Sequence, residues 1–76
     1  MKEVLEYIAR NLVDDPDAVE VTEIGGERST VLQLRVAPDD MGKVIGRRGR
    51  TARAIRSLVR AAASHDGMSA TVEIVE

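Results

Sequence analysis

Two glycines three residues apart, Gly46 and Gly49, bracket Arg47 and Arg48, and this group is the one best suited to chemistry. A residue without Cβ takes a positive φ that other residues resist, and it lets a ligand's backbone come close to the chain. The two arginines put guanidinium charge at the tip, with Lys43, Arg50 and Arg53 standing nearby. If Gly49 opens a helix, the free N–H groups and dipole of its first turn favour an anion. Together these features describe a concave, positive seat for consecutive phosphates. Val44 and Ile45 before the loop, and Ile55 after it, supply apolar side chains on its flanks.

An isolated G-x-x-G is explained as well by a tight turn between helices, so the weight rests on its context. It is not a nucleotide P-loop, because no Gly-Lys-Ser/Thr follows it. Other reactive groups have plainer readings. His65 is the single histidine and has no orienting partner or nucleophile, so it reads as a cation in the last turn of a helix. Asp39 and Asp40 read as helix-capping residues rather than a carboxylate pair. Asp14, Asp15 and Asp17 lack the spacing and closing glutamate of an EF-hand and read as a polar loop. With no cysteine, there is no thiolate metal site or disulfide, and no cofactor motif is present. Tyr7 is the only aromatic residue, which argues against recognition by base stacking of the RRM or OB-fold kind.

The formal net charge of −2 hides a strong asymmetry. Residues 41–65 hold Lys43, Arg47, Arg48, Arg50, Arg53, Arg56 and Arg60 and no acid, a charge of +7, while the remainder carries −9. A merely soluble face mixes signs; a segment of one sign is an electrostatic footprint for a polyanion. At 76 residues the chain holds one domain, 1–76. No apolar run approaches the roughly 18 residues of a membrane span. Met1 to Arg10, with Glu3 and Glu6, is unlike a signal peptide. Cytoplasmic residence is the expectation.

The elements that must position the loop follow from periodicity. Val4, Leu5, Ile8 and Leu12 make an apolar stripe on a helix over 2–13, ended by Asp14-Asp15-Pro16. Residues 19–24 and 29–37 read as a hairpin around Gly25-Gly26-Glu27-Arg28. Leu32, Leu34 and Val36 face inward on the second strand. Pro38 breaks that strand, a short helix begins at Asp39 or Asp40, and Gly46 stops it. A second helix spans about 49–64, with Ile55, Leu58, Val59 and Ala62 as its apolar stripe. Asp66-Gly67 closes it. A last strand, 69–75, turns Ala70, Val72 and Ile74 inward, and Met41 and Met68 fill gaps at element ends. The order is α-β-β-α-α-β. A crossover of two helices makes strands 29–37 and 69–75 parallel. The fold class is therefore α+β, a three-stranded mixed sheet with three helices on one face. The other face, carrying Gln33, Arg35, Thr71 and Glu73, is wet.

In this order of elements, and in Asp39-Asp40-Met41-Gly42-Lys43-Val44-Ile45-Gly46-Arg47-Arg48-Gly49-Arg50-Thr51, the chain resembles the KH family in its bacterial, type II arrangement. At this length it is similar to the small single-KH bacterial RNA-binding proteins of the KhpA (YlqC) family. The resemblance covers essentially the whole chain. It implies that Gly46, Arg47, Arg48 and Gly49 clamp the backbone of about four nucleotides of single-stranded RNA. Lys43, Arg50 and Arg53 would add charge, and Val44, Ile45 and Ile55 would lie at or under a groove for the bases. It also implies homodimers and pairing with a second KH-containing protein. Many KH loops hold one basic and one variable residue; two arginines here point to stronger, less selective backbone attraction. The leading function is thus a non-enzymatic, sequence-tolerant RNA-binding module, an RNA chaperone or post-transcriptional regulator. The alternative is a protein-interaction adaptor that dimerises, to be probed by a charge at Ile55 or Val59.

Overall fold

The computed structural model describes all 76 residues. The elements are α1 (Lys2–Leu12), β1 (Glu20–Gly25), β2 (Ser29–Arg35), α2 (Met41–Ile45), α3 (Arg50–His65) and β3 (Ser69–Val75). Single 3-10 turns at Pro16–Ala18, Pro38–Asp40 and Arg47–Gly49 join them. The order is the α-β-β-α-α-β expected from periodicity, with boundaries displaced by one or two residues.

The sheet runs β1-β2-β3, with β1 antiparallel and β3 parallel to β2. Pairing of Val21 with Leu34 and of Leu32 with Val72 puts one aliphatic row against the helices. The opposite rows, Thr22-Gln33-Glu73 and Glu20-Arg35-Val75, face water, and Gln33 Nε2 donates to Glu73 Oε1 at 3.2 Å. Leu5 and Ala9 of α1 and Ala52, Ile55, Val59 and Ala63 of α3 complete the core. Each fully buried Leu, Ile or Val stabilises by about 1.5–3 kcal/mol, which is how a chain without disulfides holds together.

The helical stripes differ in one respect from their sequence reading. Val4 and Leu12 are only half-covered, and Leu58 is 57% exposed. The face of α3 that meets the sheet is centred on Ala52, Ile55, Val59 and Ala63, and Leu58 lies a quarter-turn away. Alanines let the helix approach the sheet closely, so the buried stripe follows the small residues as much as the large ones. Gly67, at φ 73°, ends α3: its N–H donates to Ser64 O at 3.0 Å and the Met68 N–H to Ala63 O at 2.8 Å.

Asp39 and Asp40 do not cap α2. The Pro38–Asp40 turn runs straight into the helix, Asp40 sits at φ −99° and ψ −3°, and no side-chain capping bond forms. Asp40 is buried, and its carboxylate turns inward instead. It accepts the Asp14 N–H on Oδ1 at 3.2 Å and the Asp15 N–H on Oδ2 at 3.1 Å. These are backbone donors left over where α1 ends, and a buried carboxylate must find such partners.

Candidate nucleic-acid interface

The chain reverses between α2 and α3 in four residues. Gly46 takes φ 74° and ψ 176°, a region open essentially to glycine alone, and Gly49 takes φ 73° and ψ 15°. Arg48 between them is also left-handed, at φ 55° and ψ 26°. No other non-glycine residue has a positive φ. The sequence pointed to positive φ at the glycines but gave no sign of it at Arg48. Its strain follows from fitting a 3-10 turn between two helices with nothing to spare.

The two glycines are bare for different reasons. A Cβ on Gly46 would strike the side chain of Thr51 and lie 2.9 Å from the Thr51 backbone nitrogen. A Cβ on Gly49 would meet nothing within 4 Å. Gly46 is therefore demanded by the fold, whereas the space beside Gly49 is open to a ligand.

Two amides of the reversal are used within it. The Gly49 N–H donates to Gly46 O at 3.2 Å and the Arg50 N–H to Arg47 O, so the turn holds these two amides at the entry to α3. Arg47, Arg48 and Arg50 are exposed and line a hollow of about 260 Å³. Arg53 Nη2 donates to Arg48 O at 3.2 Å, bracing the left-handed residue from the first turn of α3. Arg56 Nε donates instead to Val72 O of β3 at 3.3 Å.

The remaining predicted residues separate by depth. Val44 is fully buried and Ile55 is 2% exposed, so both support the loop from beneath. Ile45, 39% exposed and adjacent to Gly46, is the apolar side chain a base could reach. Lys43 lies on the exposed side of α2, where its Nζ hydrogen-bonds Asp14 Oδ2 and stands 3.7 Å from Asp40 Oδ1. The bond with Asp14 holds the Lys43 ammonium above the ordinary lysine value. Asp40 is the residue the sequence reading missed, since its partners lie 25 and 26 positions away.

A mixed three-stranded sheet in this order, with a G-x-x-G reversal between its second and third helices, defines a KH domain of type II. A family model for the KH domain of KhpA/KhpB matches residues 2–74. The chain is 55% identical over 75 residues to the RNA-binding protein KhpA of Clostridium acetobutylicum, spanning 99% of this chain and 100% of the relative. It is 56% identical over 75 residues, with the same coverage of both chains, to the RNA-binding protein KhpA of Caldanaerobacter subterraneus. A crystal structure of a point variant of Aquifex aeolicus Era bound to GDP and aluminium fluoride superposes with a TM-score of 0.62 at 17% identity, over 97% of this chain and 30% of that one. At that identity the likeness concerns the fold alone. The chain belongs to the KhpA/KhpB KH-domain family. Its relatives bear the names of RNA-binding proteins, not of enzymes.

Proposed function

We propose that this chain is a non-enzymatic RNA-binding protein whose loop Gly46-Arg47-Arg48-Gly49 clamps the backbone of single-stranded RNA. The observation that carries the reading is the loop itself. Three of its four residues are left-handed, and neither arginine forms an ion pair with any carboxylate of the chain. Unpaired guanidinium groups around an open hollow suit phosphate, for which arginine supplies a fork of donors. The names of the relatives point the same way. Two arginines favour backbone attraction over base selection, which fits a broad-specificity RNA chaperone or post-transcriptional regulator working in the cytoplasm.

Salt dependence provides the test. If about four phosphates are neutralised, log affinity falls with log salt at a slope near −3. Replacing both Arg47 and Arg48 with Asp leaves the fold intact, because both are exposed and Asp tolerates the left-handed region. The double variant is expected to lose at least about two of the phosphate contacts and to flatten the slope by about 1.4. Unchanged affinity and slope, with a normal circular dichroism spectrum, would remove the clamp.

A second surface supports self-association. On α3 the exposed residues Ala54, Leu58 and Ala61 form an outward seam beside the arginines. Ile55 and Val59, which the sequence suggested as probes of a dimer, are core residues, so a charge at either would unfold the chain rather than separate a pair of copies. Leu58 takes their place. A homodimer, or pairing with a second KH-containing protein, through this seam would set two arginine loops on one particle.

A further inference from the structure

We propose that Lys43 does not grip phosphate but is a positioning residue of the loop, belonging to a strut with Asp40 and Asp14 that fastens α2 to the connection between α1 and β1. The proposal rests on the clamp reading above and assigns a different task to one of the seven cations counted in residues 41–65.

Helix α2 has five residues and no side-chain cap. A helix of that length has no stability of its own, since nucleation alone costs more than one turn returns. Its direction, and that of the loop it delivers, must be imposed from outside. Three contacts do so. Val44 is fully buried in the core. Asp40, immediately before the helix, holds the Asp14 and Asp15 amides. Lys43, one turn on, closes the triangle by bonding the Asp14 side chain and facing Asp40 at 3.7 Å. One carboxylate and one ammonium thus tie the start of α2 to the end of α1 at the backbone and at the side chain of the same residue.

The pattern of pairing separates Lys43 from its neighbours. The chain forms four ion pairs, and Lys43 makes two of them. Arg47, Arg48, Arg50, Arg53, Arg56 and Arg60 make none. An ammonium between two carboxylates is already neutralised. A phosphate reaching it would either lie beside two carboxylates or draw it away from them, and Asp40, whose side chain is 4% exposed, has little water to replace the partner.

The experiment compares Lys43→Met, Lys43→Arg and Arg48→Met, each titrated with a single-stranded RNA oligomer at several salt concentrations and examined unbound by amide NMR. Arg48→Met is expected to flatten the slope by about 0.7, the value for one phosphate on a single strand. If it does not, the clamp reading itself has failed. Given that response, Lys43→Met is expected to keep the wild-type slope. In the unbound protein its amide signals at residues 46–49 should move, those of β1 should stay, and Lys43→Arg should restore the loop signals. A slope flattened by about 0.7 in Lys43→Met, or loop signals that do not move, overturns the proposal.

Discussion

Replacing each loop glycine separately distinguishes a glycine required by the fold from one required by the ligand. At Gly46 an alanine would be held at φ 74° and ψ 176°, which costs on the order of 1–3 kcal/mol for a residue with a side chain. Its Cβ would also press on Thr51, whose nitrogen stands 2.9 Å away in the first turn of α3, so relief requires that helix to shift. Taking about 3 kcal/mol for Gly46→Ala, and about 4–8 °C per kcal/mol for a domain of this size, the thermal midpoint falls by roughly 12–24 °C. At Gly49 the backbone is left-handed in the region asparagine accepts, and the added atom meets nothing. Gly49→Asn therefore costs under about 1 kcal/mol, at most some 8 °C. Its side chain nevertheless occupies the space open to the sugar-phosphate strand, so RNA affinity should fall about tenfold or more, or about 1.4 kcal/mol. Calorimetry with fluorescence anisotropy on a labelled oligomer reads both quantities. A Gly46→Ala protein as stable as wild type, or a Gly49→Asn protein that binds undiminished, would show that the two glycines do not have the roles their surroundings assign them.

Two further outcomes are expected. Asp40→Ala strands the Asp14 and Asp15 N–H groups, each bonded to a buried carboxylate, and should destabilise by about 2–3 kcal/mol in urea unfolding; a loss under about 0.5 kcal/mol would mean that water replaces the carboxylate without cost. Leu58→Lys places a charge on an exposed position and should leave the melting curve nearly unchanged while any self-association seen by sedimentation disappears; a dimer that survives the charge is not built on the α3 seam.

Local signals carried most of the architecture. Alternation placed Leu32, Leu34, Ala70 and Val72 on the buried face, and Gly46 and Gly67 end their helices where turn chemistry puts them. What periodicity missed has two physical origins. The hydrophobic stripe of a helix says which side chains are apolar, not how closely the helix lies on the sheet. The alanines 9, 52 and 63 therefore came out as core, and the bulkier Leu58 did not. Contacts between distant stretches of the chain leave no local trace at all. Asp40 looked like a cap because aspartate is favoured where a helix begins, yet its carboxylate serves amides just past the far end of α1. The same blindness hid the engagement of Lys43, which sequence spacing alone grouped with the arginines. Arg48 shows the limit in the loop itself: the two glycines announce a reversal, but only the fit between two helices forces a third residue into left-handed backbone.

The three-stranded sheet also leaves two borders along which another chain could add hydrogen bonds, the usual first step toward fibrous aggregates. Neither border invites this. Along β1 stand the exposed carboxylates Glu20 and Glu23, so two such borders brought side by side would set like charges together. Along β3 the carbonyl of Val72 is occupied by Arg56. Each flank therefore carries one feature that disfavours strand addition: repelling carboxylates on one side, a side chain bonded to the backbone on the other.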